Sequence, residues 1–395
     1  MTTTDNPAAA TVAAAADAHS PPGAVFAITE GEQTHYWTSG TADLETAEAM
    51  TQAHAHDLAS VSKLLTTLTL QRLFTLGELA PQDTLARFFG PVAGAHCEVT
   101  VEDLLRHQSG FREWWPMYLS PGRQSSPIPQ ILEMPARYPR GVEWHYSDLG
   151  MQVAGAVAAE VTAQSFSQAV GELLLGPLGI ETITPGRPHA GTPVTSGPLG
   201  DAIEREMVAS NTPYPVDDST KTAAADFPWR EHQLRGEVAD CNAFHAFDAA
   251  SGQAAGHAGW FGDAAGLLRL GAALAVPENA GISAEQSAQL ATAAPNSPDF
   301  GEVGFAQGRG ARMYQLPWRG EQRTFLAHPG FTGTYLAAAP ATPEAPKVIS
   351  VMLSNRLHGQ PPPDRDRLMP VDQMWRRAMA SANKTLHQAE TGDAQ

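Results

Sequence analysis

Cysteine is almost absent from this chain: Cys97 and Cys241 are the only two in 395 residues. Two residues so far apart supply neither a disulfide framework nor a zinc knuckle, so both are expected as free thiols. Lysine is nearly as scarce, with only Lys63, Lys221, Lys347 and Lys384. Against 25 Lys and Arg stand 42 Asp and Glu, a formal net charge of −17. That charge repels a phosphate backbone and an anionic membrane alike, so neither nucleic acid nor membrane is an expected partner. No apolar run approaches the roughly 20 residues needed to cross a bilayer. The first 22 residues lack the basic start and Leu-rich stretch of a secretion signal, and a cytoplasmic location is expected. No Gly-Lys-Ser/Thr phosphate loop occurs. Of the 14 histidines, only His54-x-His56 has a spacing that puts two imidazoles on one face of a strand, with no obvious third ligand nearby. Neither a metal nor a cofactor is expected.

What the chain has is the composition of an ordinary globular protein, 43% hydrophobic and 17% charged, with many turns implied by 35 Gly and 31 Pro. Residues 1–22, Ala repeats mixed with Thr and Asp, read as a disordered tail without an amphipathic stripe. Gly23 to Thr29 and Thr34 to Ser39 read as a hairpin around a turn-prone Glu30-Gly31-Glu32-Gln33. Val61, Leu64, Leu65 and Leu68 then follow the i, i+3, i+4, i+7 rule, and Leu70, Leu73 and Phe74 widen the stripe into a nearly all-buried helix. Asp57 can cap that helix and Gly77 can end it. The middle, about 81–253, reads as a mainly helical lobe with large Pro/Gly/Ser-rich loops. Strand-like runs return at Ala311 to Leu316, Arg323 to His328, Thr334 to Ala338 and Val348 to Leu353. Pro370 to Ala380 can form a last helix, and 381–395 reads as a polar tail.

A serine hydroxyl is a weak nucleophile and needs a base within hydrogen-bond reach. Ser60-Val61-Ser62-Lys63 supplies one, because residues i and i+3 share a helix face with Cβ atoms about 5–6 Å apart. Burial is expected to lower the Lys63 pKa and make the amine a usable base. Ser-x-x-Lys also occurs by chance, and a second copy, Ser381 to Lys384, sits in the expected polar tail. The Ser60 copy differs in adjoining the apolar run Leu64 to Leu76, where an unpaired ammonium is costly. Ser62 points away from the Lys63 face and is the weaker nucleophile.

Asp57-Leu-Ala-Ser-Val-Ser-Lys-Leu-Leu65 resembles the first motif of serine β-lactamases, penicillin-binding proteins and their esterase relatives. Further stretches are similar to family motifs in the same order: Val101 to Phe111, Pro139 to Asp148, Gly171 to Ile180, and His328-Pro-Gly-Phe-Thr-Gly-Thr334. Gly236 to Ala243 with Gly256 to Phe261 looks like the signature of one class C-like branch. The resemblance spans most of the chain. It implies an α/β (α+β) sandwich of the β-lactamase/transpeptidase kind: an antiparallel sheet flanked by helices, built from about 23–80 and 254–380, with the helical lobe inserted between.

Carried over by position, the resemblance makes Ser60 the nucleophile, Lys63 its base and Tyr146 the second proton-transfer group. His328 stands where relatives have a lysine, Gly330 lets the strand approach substrate closely, and the N–H groups of Ser60 and Phe331 form the oxyanion hole. Asp148 replaces the common Asn. His257 reads as the mark of a tight structural segment, and Asp240 and Asn242 as residues that could line the cleft. The expected function is a serine hydrolase acting through an acyl-enzyme on a small ester or amide, of the esterase type. The alternatives are a D-amino-acid peptidase or amidase, a true β-lactamase, and a catalytically silent binding module on the same scaffold.

Overall fold

Apolar side chains alternate in direction along a strand, so a strand that is apolar at every position must be covered on both faces. Gly23–Glu30 is such a strand: Val25 and Ala27 pack into one core, Phe26 and Ile28 into another. The computed structural model describes residues 6–13, 19–120, 126–247, 252–359 and 368–391. In it, eight strands form one antiparallel sheet: β1 (Gly23–Glu30), β2 (Gln33–Asp43), β3 (Glu48–Ala49), β4 (Ala306–Gln307), β5 (Arg312–Trp318), β6 (Glu321–Gly330), β7 (Thr334–Ala339) and β8 (Val348–Ser354). Their spatial order is β3-β2-β1-β8-β7-β6-β5-β4. The two ends of the chain therefore meet at the β1/β8 seam, where Ala27 faces Val351.

Five helices fix the layers: α1 (Pro7–Val12), α2 (Ser62–Leu76), α3 (Asp148–Thr162), α4 (Ala264–Ala275) and α5 (Val371–Thr391). On one face, α4 packs on β7 and β8, and Gly271 leaves the room that Ile349 and Leu336 occupy. The other face is covered by α5, whose Trp375 stacks on Tyr335 at 4.6 Å between ring centroids. This is the expected sandwich. Between residues 81 and 253 the described chain is mainly helical, and α3 packs against α2.

Both chain ends depart from the expected tails. Among residues 1–22, 6–13 are ordered: Asn6 accepts hydrogen bonds from the amides of Ala8 and Ala9, Pro7 occupies the first turn, and α1 lies against β1, β2 and α5 with Ala8 fully buried. No stripe of large side chains announces this helix, because alanine packs by close approach. At the other end α5 does not stop at Ala380. Ala378, Ala382 and Leu386 continue one stripe at a spacing of four and stay buried against the sheet, so the Ser381-x-x-Lys384 copy lies on a packed helix. Met1 to Asp5, 14–18 and 392–395 lie outside the described residues.

The Ser60 segment is held from three sides. His56 and Asp57 pair with Phe261 and Gly262, the Leu58 amide donates to the Trp260 carbonyl at 2.8 Å, and Asp57 accepts from the Ala59 amide at 2.8 Å. Ala59 has φ +44°, a left-handed conformation that a residue with a Cβ adopts only when its surroundings impose it. A single 3₁₀ turn, Ala59–Val61, follows, and α2 begins at Ser62. The helix ends, as expected, at Gly77 with φ +74°.

Candidate active site

At the junction of the sheet layer and the helical lobe lies a cleft of about 190 Å³. Ser60 and Phe331 contribute from the sheet side, and Trp114, Tyr146, Asp148 and Met207 from the lobe. The turn and the start of α2 bring the Lys63 amine to 2.7 Å from the Ser60 hydroxyl, as the i, i+3 spacing requires. Ser62 is fully buried in α2 and does not line the cleft.

The charge state of Lys63 differs from the expectation. Burial, at 1% exposure, pushes its pKa down. The Asp148 carboxylate, 2.7 Å from the amine, outweighs that with help from Tyr146 and leaves the pKa above the ordinary 10.5. Lys63 is thus a buried ammonium that donates to Ser60, to Asp148 and, at 3.2 Å, to the His257 carbonyl. The sequence expectation counted burial but not the counter-ion, although the exchange of Asn for Asp at 148 was visible.

Tyr146 lines the cleft beside this amine. Lys63 Nζ lies 4.9 Å from its ring centroid, and the Arg312 guanidinium lies at the same 4.9 Å. His107, 4.7 Å from the Tyr146 ring, accepts the Ser147 amide on Nδ1 and so fixes the loop that leads into α3. Ser147 caps α3 through its hydroxyl to the Gly150 amide at 2.9 Å, which places Asp148 in the first helical turn facing Lys63.

His328 is not a cleft residue. It lies 5.9 Å from Tyr146 between ring centroids, is 2% exposed, and bonds the Pro329 carbonyl through Nδ1 at 2.8 Å. Burial, reinforced by Arg312 and Lys63, holds its pKa well below 6.5, so it is neutral. The substrate contact assigned to it by position is therefore withdrawn. The reason is that the residue 328 side chain is buried beside the Tyr146 ring and does not line the cleft. Gly330 does not line the cleft either; its role is close packing of the strand end against the turn. A Cβ there would lie 2.1 Å from Thr334 Oγ1 and 2.5 Å from the Leu58 carbonyl. That space admits two hydrogen bonds that lash the strand end to the nucleophile turn: Thr334 to the Leu58 carbonyl at 2.9 Å and Thr332 to the Asp57 carbonyl at 2.7 Å. Phe331 follows directly and faces the cleft.

The signature segments 236–243 and 256–261 converge on the same place. Asp240 lines the cleft and holds His257 Nε2 at 3.1 Å; Asn242 accepts the Met117 amide at 2.8 Å and donates to the Trp115 carbonyl at 2.9 Å, pinning a lobe loop beside the cleft. Sequence reasoning missed Arg312, His107 and Glu204. Glu204, a cleft residue, has its pKa pushed up to about 8 by burial and by Asp240. Nothing in the local pattern marks Arg312 or Glu204, which gain their places through long-range packing, whereas His107 lies within the family-like stretch Val101 to Phe111 and was given no role there.

His54 and His56 do not form a metal pair. His54 bonds Glu48 and Thr51, while buried His56 bonds the His54 carbonyl. Among the described residues, Asp201, Cys241 and His245 have ligand atoms within 4.8 Å of one another. Asp201 there is already engaged by Arg230 at 2.6 Å, so a guanidinium holds the place of a cation. Cys97 and Cys241 are unpaired. No helix of the described residues is long and apolar enough to cross a membrane.

The family model described as Beta-lactamase matches residues 8–371. A putative D-alanyl-D-alanine carboxypeptidase of Escherichia coli (strain K12) is 26% identical over 340 residues, covering 81% of this chain and 73% of that protein. Among solved structures, EstCE1, described as a hydrolase with promiscuous acyltransferase activity, superposes with a TM-score of 0.65 at 17% identity, over 92% of this chain and 94% of its own. The D-amino acid amidase of Ochrobactrum anthropi SV3 gives 0.63 at 18% identity, over 93% and 95%.

Proposed function

This chain belongs to the Beta-lactamase family, and from that premise we propose that it is a serine hydrolase in which Ser60 forms an acyl-enzyme with small esters or amides, uncharged esters being turned over better than β-lactams. The observation that carries the reading is the buried Lys63 amine, which bridges two cleft-lining residues, the Ser60 hydroxyl and the Asp148 carboxylate, at 2.7 Å each.

Because Lys63 rests as an ammonium, the first step is proton transfer from Lys63 to Asp148. The freed amine then accepts the Ser60 proton as the Oγ–carbon bond forms. The amide N–H groups of Ser60 and Phe331 receive the developing oxyanion. As the carbon–alkoxide bond breaks, the leaving alcohol takes a proton through Tyr146, which Lys63 resupplies. Asp148 returns its proton to Lys63, so the serine proton ends on the alcohol. Water repeats the sequence to release the acid.

Among the cleft-lining residues there is no Lys, Arg or His; of the four acidic ones, Asp148, Asp201 and Asp240 are already paired with Lys63, Arg230 and His257, and Glu204, pushed up to about 8, is largely protonated at neutral pH. A substrate carboxylate finds no cationic anchor, which favours neutral esters. The same lack of a lining cation supports, as the second reading, an amide that carries an amine, whose ammonium meets no opposing charge on the cleft wall.

A fluorophosphonate probe with intact-mass detection tests the assignment. Wild type and Ser62→Ala should gain one adduct and Ser60→Ala none. No adduct on the wild type, under conditions that label a control hydrolase, would establish the silent binding module instead.

A further inference from the structure

Beside Lys63 lies a second buried ion pair that the reaction above leaves unused. His257 is 1% exposed, and both ring nitrogens meet acceptors: Nδ1 the Ala255 carbonyl at 3.1 Å, Nε2 the Asp240 carboxylate at 3.1 Å. A carbonyl and a carboxylate can only accept, so both nitrogens are satisfied together only by the imidazolium. Asp240, with desolvation working against it, offsets that through Asp148's help and raises the His257 pKa above 6.5. Asp240 is itself fixed by the Ala243 amide at 2.8 Å.

The backbone around this ring is tightly specified. Ala255 donates to the Ala258 carbonyl at 3.1 Å, and Thr66 of α2 donates to the Gly256 carbonyl at 2.6 Å. Gly256 has φ +73°, and a Cβ on it would lie 2.2 Å from the Met151 carbonyl of α3. The next carbonyl, of His257 itself, accepts from Lys63 at 3.2 Å. Three residues on, Trp260 takes the Leu58 amide and so holds the nucleophile turn.

We propose that Asp240 and His257 are positioning residues for Lys63: the Asp240–His257 pair locks the ring, the ring locks the 255–258 turn, and the turn aims a carbonyl at the Lys63 amine. This rests on the hydrolase reading of Ser60 and Lys63. The pair also acts through charge. Lys63 is faced by Asp148 and Tyr146 from α3 and the loop before it, by His107 from the lobe, by His328 from β6, and by His257 with Asp240. Arg312 lies against the same Tyr146 ring. Of these, His257 is the imidazolium hydrogen-bonded within the same turn, and its positive charge opposes that of Lys63. Removing it makes Lys63 hold its proton more tightly.

The test is His257→Gln in the full chain, assayed with p-nitrophenyl butyrate between about pH 6 and 12, with spontaneous hydrolysis subtracted, alongside Ser60→Ala. Glutamine can still bond Asp240 but cannot carry the charge. We expect kcat to fall about 10²-fold, the order that a misplaced catalytic group costs, with KM within about threefold. The acid limb of kcat should move to higher pH, which a purely structural lesion does not produce. A folded His257→Gln with wild-type kcat and an unmoved limb overturns the proposal. Turnover surviving in Ser60→Ala overturns the underlying hydrolase site, and the positioning role with it, so the two failures are distinct. If His257→Gln does not fold, ¹⁵N-histidine NMR of the wild type decides: both His257 ring nitrogens protonated at pH 7.5 supports the pair, and one bare nitrogen refutes it.

Discussion

At the scale of single residues, the exchange of Asn for Asp at position 148 changes the chemistry of the site more than any other difference from the family pattern. An amide beside Lys63 would be neutral; a carboxylate at 2.7 Å holds the amine charged despite its burial. Asp148→Asn should therefore lower the Lys63 pKa and move the acid limb of kcat/KM to lower pH, by about one unit or more, since one unit corresponds to only about 1.4 kcal/mol of interaction. Rate profiles of the two proteins on one ester, between about pH 5 and 12 with spontaneous hydrolysis subtracted, check this; an unmoved limb would remove Asp148 from the proton path. The stability consequence has a definite sign. A lysine whose folded pKa lies above 10.5 stabilises the fold below that value and ceases to as the pH rises through the folded one. The Lys63–Asp148 pair thus confers no Lys63-linked pH dependence of stability near neutrality. That Ser60, Lys63 and Tyr146 come together was readable from sequence, because helical spacing and motif order place them. His328 was misplaced because residue type by position says nothing about which way a strand turns a side chain. The Asp240–His257 pair was visible as two motifs, but only folding joins positions 17 apart around a turn.

At the scale of elements, the sequence is most legible where apolar periodicity involves large side chains. The β1/β2 hairpin, α2 and the late strands follow such patterns. The first helix and the second half of the last were missed for opposite reasons: α1 packs through alanine, and in α5, expected only to Ala380, polar residues on the outer face hide a stripe that continues to Leu386. Leu386 is 7% exposed in the cluster with Met379 and Trp375, so Leu386→Asp buries a carboxylate against the sheet. It should destabilise the protein by about 1–3 kcal/mol, the usual range for such a lesion, while Lys384→Ala on the exposed side of the same helix should stay within about 0.5 kcal/mol. Urea unfolding midpoints at unchanged slope measure both. Equal midpoints for the two variants would mean that residues 381–391 are the loose tail their polarity suggests. The element that matters most for the site is the strand end after Gly330, because its lashing to the Asp57 and Leu58 carbonyls sets where Phe331 stands relative to Ser60.

At the scale of the whole molecule, the net charge of −17 and the cleft wall act in the same direction. A diffusing anion meets a repulsive field, and one that reaches the cleft meets no lining cation. His328 cannot substitute for one, since it is neutral and lies buried beside Tyr146. Arg312 carries a charge nearby, but it is engaged with the Tyr146 and Phe305 rings and does not line the cleft. A cephalosporin brings a carboxylate that must be desolvated without a partner, whereas a p-nitrophenyl ester brings none and has a leaving group needing little protonation. The ester should therefore show the higher kcat/KM at pH 7, and the gap should narrow as salt is raised, because screening weakens the long-range repulsion while leaving the ester unaffected. Measuring p-nitrophenyl butyrate and a chromogenic cephalosporin at two ionic strengths checks both parts. Cephalosporin turnover above that of the ester, insensitive to salt, would show that an anion anchor exists in this cleft and would return the enzyme to the β-lactamases proper.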